Sequence, residues 1–159
     1  MSGRKVYAAS PRFAALRGYL AVTAALDLAW ETAQLPLYTI WKDGTSRSMA
    51  FVVLHCIGGD VLLAFLVLVG ALLLVGDPAW PSRRAGRVAA LTLVAGLACA
   101  VLIEWLMVEV WPTWAYSDLM PLLPPLGTGL SPVLQWLLVP AVALWMAHRM
   151  GTVRRPASL

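Results

Sequence analysis

The chain has 159 residues, of which 60 % are hydrophobic and 13 % charged, and its mean hydropathy is +0.77. A soluble domain carries roughly a quarter charged residues, and several apolar runs here reach the roughly 20 residues that cross a bilayer. The composition therefore points to an integral membrane protein, and the net charge of +4 reflects Lys and Arg at the ends of apolar runs rather than a nucleic-acid surface.

The N-terminal 17 residues form a basic leader with Arg4, Lys5, Arg12 and Arg17. The apolar run behind it contains Asp27 and Glu31 and ends in no small-residue cleavage pattern, so it reads as a retained tail and a membrane helix rather than a signal peptide. The first span is expected over about 18–41. Its polar residues Thr23, Asp27, Glu31, Gln34 and Tyr38 are spaced by three or four, which puts them on one helical face. Such a stripe faces a bundle interior or a wet cavity, not lipid. Pro36 predicts a kink late in this span, and Trp41 an interfacial anchor.

A short polar loop at 42–48 turns at Asp43 and Gly44. The second span, about 49–75, holds His55, Cys56, Gly58, Gly59 and Asp60 in its first half and only aliphatic filler in its second. His55 and Asp60 are separated by about 140° on an ideal helix. They share a site only if Gly58 and Gly59 distort the helix or the cavity is wide. A loop with two prolines and three arginines follows at 76–87, then a third span over about 88–111. That span begins with small residues that allow close packing and ends with Glu104, Trp105, Met107 and Glu109. The connection 112–128, with Trp114, Tyr116, Asp118 and Met120, is too long for a tight turn and suggests a lid or cap. In the fourth span, about 129–148, Ser131 and Gln135 continue one face from Thr128. The expected fold is all-α: a polytopic four-transmembrane-helix bundle forming a single membrane domain.

Lys and Arg number four in the leader, three in the 76–87 loop and three in the tail (Arg149, Arg154, Arg155), against two at 42–48 and none at 112–128. This asymmetry predicts both termini in the cytoplasm, in a bacterial inner membrane. With that orientation Glu31, His55, Asp60, Glu104 and Gln135 all lie roughly 9–17 Å below the outer surface, at about 1.5 Å per residue. One outward-opening pocket, floored by aliphatics and roofed by the 112–128 loop, accounts for the pattern. Glu31, His55, Asp60 and Glu104 are its candidate acid–base groups. Gln34, Tyr38, Tyr116, Asp118 and Gln135 are candidate ligand contacts, with Trp30, Trp105 and Trp136 as aromatic walls. Trp41, Trp80, Trp111, Trp114 and Trp145 read most simply as belt residues.

A histidine with several carboxyls near mid-membrane suits proton transfer, one group donating while another accepts. The ligand expected is a membrane lipid or an apolar small molecule, either bound or isomerised or cyclised by acid–base chemistry; no cofactor is implied. Metal binding or transport by Glu31, His55, Asp60 and Glu104 is the main alternative. Against it, the Glu-x-x-His element of di-iron bundles is missing, and one histidine is few for zinc or copper. A structural subunit of a larger complex, or a homo-oligomer, is a further alternative. Cys56 and Cys99 show no metal or redox spacing and read as small hydrophobes.

Four spans, acids in the first helices and the Trp136-x-x-x-Pro140 element resemble the emopamil-binding/sigma-2 receptor (EXPERA) domain. Asp27 and Glu31, four apart, are similar to that family's His/Glu pair, with Asp in place of His; His55 has no clear counterpart. The resemblance implies a binder of sterol-like molecules, some of which the family isomerises by proton transfer. The overall pattern also resembles small uncharacterised bacterial four-helix membrane proteins.

Overall fold

The computed structural model describes residues 11–153; the basic leader with Arg4 and Lys5, and Arg154 and Arg155 of the tail, lie outside the described residues. The fold is mostly helical. In chain order it comprises α1 (Pro11–Gln34), a 3₁₀ turn (Leu35–Leu37), α2 (Ile40–Asp43), α3 (Ser46–Val75), α4 (Ala85–Trp105), a π-helical turn (Leu106–Val110), strands β1 (Leu122–Leu123) and β2 (Thr128–Gly129), and α5 (Leu130–Val153). Four helical segments are long and apolar enough to cross a membrane: Arg12–Leu37, Ser46–Val75, Ala85–Val110 and Leu130–Met150.

The four long helices run up, down, up and down. α1 and α4 are each flanked by α3 and α5, so they stand on opposite corners of the bundle. The two ends differ, and we call the end with the 76–87 loop the base and the other the cap. Small and aliphatic side chains fill the base: Ala15, Ala64, Leu68, Ala71, Val88, Ala143 and Ala147 are buried together. Trp80 joins them at 4 % exposure, so it is a core residue and not a belt residue. At mid-height Gly96 makes room for Trp136: a Cβ there would meet the indole ring at 3.0 Å.

Helix ends follow local chemistry. Thr45 and Ser48 form a capping box that starts α3, and Gly76, with φ +60°, ends it in the left-handed conformation that costs glycine nothing. The largest departure from expectation is in the first span. The helix does not run to 41 with a kink; it stops at Gln34. Pro36 has no N–H to continue the ladder, so the chain tightens into the 3₁₀ turn and then extends at Tyr38. That break builds the cap. The freed segment pairs with the 112–128 connection through an antiparallel bridge, Tyr38 to Tyr116. Thr39 N donates to Ala115 O at 3.0 Å and Ser117 N to Leu37 O at 2.9 Å. Ser117 Oγ donates to the Pro36 carbonyl at 2.9 Å. The two-residue strands β1 and β2 close the connection.

Candidate functional site

The stripe expected on α1 forms. Thr23, Asp27, Glu31 and Gln34 are all buried, although none of their neighbours at 28, 29, 32 and 33 is. Gln135 of α5 stands opposite. Its Nε2 lies 3.1 Å from Asp27 Oδ1, 3.0 Å from Glu31 Oε1 and 3.1 Å from Asp60 Oδ2. One amide thus gathers three carboxyls from two helices. Glu31 and Asp60 thus meet at one shared donor.

A directional chain fixes the way the Gln135 amide faces. Trp30 Nε1 donates to Ser131 Oγ at 3.1 Å, and Ser131 Oγ donates to Gln34 Oε1 at 2.7 Å. Gln34 Nε2 then points at Gln135 Oε1 at 3.4 Å, leaving Gln135 Nε2 for the acids. The chain begins with an indole that can only donate, and with Ser131 Oγ donating to Gln34 Oε1 the Gln34 nitrogen is left to face Gln135 Oε1.

Glu104 belongs to a second group under the cap. Tyr116 Oη donates to Glu104 Oε2 and accepts from Gly129 N at 3.0 Å. The Tyr38 and Tyr116 rings lie 5.5 Å apart at 52°. Burial, together with the neighbouring Glu104 carboxyl, holds both phenols above the usual tyrosine range. Trp114 Nε1 is buried beside them without a well-formed hydrogen bond.

The structure therefore brings together Glu31, Asp60, Gln34 and Gln135, with Asp27 added, and sets Glu104, Tyr38 and Tyr116 above them. Other candidates stand apart. α3 is regular through Gly58 and Gly59, so His55 stays on the far side of the helix from Asp60; it is exposed and stacks on Phe51 at 5.9 Å. Asp118 is exposed in the cap connection. The three tryptophans do not wall one chamber. Trp136 packs on Gly96, Trp105 is 39 % exposed, and Trp30 turns toward a groove between α1 and α5.

That groove has a volume of about 500 Å³. Leu26, Ala29 and Ala33 of α1 and Leu37 of the 3₁₀ turn form one wall, and Leu138, Val139 and Val142 of α5 the other. At the cap end its lining becomes polar with Trp30, Gln34 and Ser131, the residues that open the amide chain to the carboxyls. Sequence reasoning missed the groove because its walls are aliphatic residues on two helices far apart in the chain. Its signals were the candidates Trp30 and Gln34, which line its polar end with Ser131. Among the described residues no three His, Cys, Asp or Glu side chains are arranged to hold a metal ion. Compared with known families, characterised proteins and solved structures, the chain finds no match in any of the three.

Proposed function

We propose that the chain is a multi-pass membrane protein that binds a largely apolar, lipid-like or isoprenoid molecule with one neutral polar end. The groove between α1 and α5 is the observation that carries this reading. Its volume of about 500 Å³ falls in the range of small-molecule sites, which are mostly apolar with a few placed polar groups. From Leu26 to Gln34 it follows α1 for roughly 12 Å and continues to Leu37 in the 3₁₀ turn, a length suited to an extended hydrocarbon. No charged side chain lines it. A hydroxyl or carbonyl head can compete for the donors of Trp30, Ser131 and Gln34, whereas a phosphate would find no cation. Entry from the surrounding lipid suits a groove that opens between two helices.

Binding is favoured over isomerisation. The amides of Gln34 and Gln135 stand between the groove and the carboxyls, and a neutral amide does not pass protons as a carboxyl or imidazole does. A reacting double bond would have to move past Gln34 to meet Glu31. The reading keeps from the EXPERA resemblance the apolar ligand held in a four-helix bundle. We place the termini in the cytoplasm of a bacterial inner membrane on the charge asymmetry alone.

The test is native mass spectrometry and lipid extraction of protein in mild detergent. Wild type should carry a stoichiometric neutral lipid. Ala33→Trp, which fills the groove from its α1 wall, should lose it with helical circular dichroism unchanged. A wild type without lipid, or an Ala33→Trp variant that retains it, contradicts the proposal.

A further inference from the structure

The carboxyl cluster is short of hydrogen-bond donors. Gln135 Nε2 carries two hydrogens and faces three carboxyl oxygens at 3.0–3.1 Å. Asp27 Oδ2 is fully buried and has no partner, in a residue only 2 % exposed. Below it on α1, Thr23 Oγ1 and Tyr19 Oη are likewise buried without a well-formed hydrogen bond, in residues 2 % and 0 % exposed. These three atoms belong to residues four apart on one helix face, half of the buried side-chain polar atoms left without a partner among the described residues. The other ionisable groups facing this interior are Glu31 on α1, Asp60 and Cys56 on α3, Glu104 on α4 and Tyr38 beyond the end of α1; α5 contributes only the neutral Gln135.

We propose that this interior is a proton-binding site solvated by buried water: Glu31 and Asp60 share a proton, and water held beside Asp27 Oδ2 and the Thr23 hydroxyl supplies the missing donor. The water donates to Asp27 Oδ2 and accepts from the Thr23 hydroxyl. Tyr19 closes the column, below which Ala15, Trp80 and Ala147 form a dry plug. The site touches the groove only through the Gln34–Gln135 contact and needs no ligand in it.

Infrared spectroscopy of the full chain in detergent or vesicles tests this. Wild type at neutral pH should show a protonated carboxyl band that is lost in Glu31→Gln and in Asp60→Asn. In D₂O, Thr23→Val should slow the exchange of that band about tenfold, the equivalent of one hydrogen bond to a charged group, and should lower Tm. Tyr19→Phe should act in the same direction but more weakly. A dry hydroxyl gives the opposite result, because replacing it with a methyl leaves the exchange unchanged and holds or raises Tm. Either that outcome, or the absence of a protonated band together with stabilisation by sodium but not choline chloride, overturns the proposal.

Discussion

Asp77 at the base and Asp27 under the cap are both acids almost removed from solvent, yet they are held in opposite ways. Asp77 accepts from Ala79 N at 2.8 Å and faces the Arg84 guanidinium at 3.6 Å. Arg12 reaches its backbone carbonyl at 3.1 Å, and His148 Nδ1 contacts Pro81 O at 2.9 Å. The base is thus closed by charge pairing at its rim over a dry aliphatic core. Asp27, Glu31, Asp60 and Glu104 are answered instead by an amide and a phenol. Neutral donors satisfy a carboxyl without cancelling its charge, and the proton proposed above would complete the arrangement. An interior acid is costly to insert in a membrane, and the cap half retains four, whereas the buried acid of the base, Asp77, sits at its rim beside Arg84.

Substitutions that exchange the character of the two halves should have very different effects. Gln135→Leu removes the common donor of three carboxyls and should cost about 3 kcal/mol or more. Thr92→Val, which replaces an unpartnered hydroxyl in the base half, should be close to neutral; unfolding of both variants in detergent makes the comparison. Equal losses would mean that the cluster is not what holds the cap half together. Between the halves, Gly96→Ala should cost about 1–3 kcal/mol by overpacking, because its Cβ meets the buried Trp136 ring at 3.0 Å. A shift in tryptophan emission should accompany that loss.

Tyr116→Phe should cost about 1.5 kcal/mol, leaving Glu104 and Gly129 N without their shared partner. It also carries a pH signature. The folded phenols of Tyr116 and Tyr38 lie above the ordinary tyrosine value. Their contribution is therefore complete below about pH 10 and is lost as pH rises from there toward the folded values. Wild-type stability should fall along that alkaline limb, and Tyr116→Phe should flatten it; identical alkaline profiles would place Tyr116 in solvent. The smallest effect is expected at the base. Arg84→Ala breaks a half-exposed ion pair and should cost less than about 1 kcal/mol, with Asp77→Ala costing more through the lost contact to Ala79 N.

The helices and the polar stripe of α1 were legible in the sequence, because apolar runs and the spacing of Thr23, Asp27, Glu31 and Gln34 state their period directly. Depth counting also brought Asp60 and Gln135 to the level of Glu31. The same counting failed for His55, since residues at one depth on one helix can face opposite ways, and a regular α3 keeps His55 outside. Trp105 and Trp136 were grouped with Trp30 for the same reason. The cap was only half visible. Pro36 announced an interruption, but pairing of Tyr38 with Tyr116 depends on two segments 78 positions apart, which no local pattern encodes. Tyr19 escaped notice because a tyrosine near a helix end reads as an interfacial residue until its hydroxyl is found buried.

The groove is where the two halves meet, with aliphatic walls below and the amide chain above, so the most direct measurement is to find where a ligand touches. A photoactivatable neutral isoprenoid alcohol, incorporated into vesicles with the protein, should label residues within 26–37 and 131–142, and Ala33→Trp should abolish that labelling. Labelling concentrated on the exposed face of α3 around Phe51 and His55, or labelling indifferent to Ala33→Trp, would contradict a ligand site between α1 and α5.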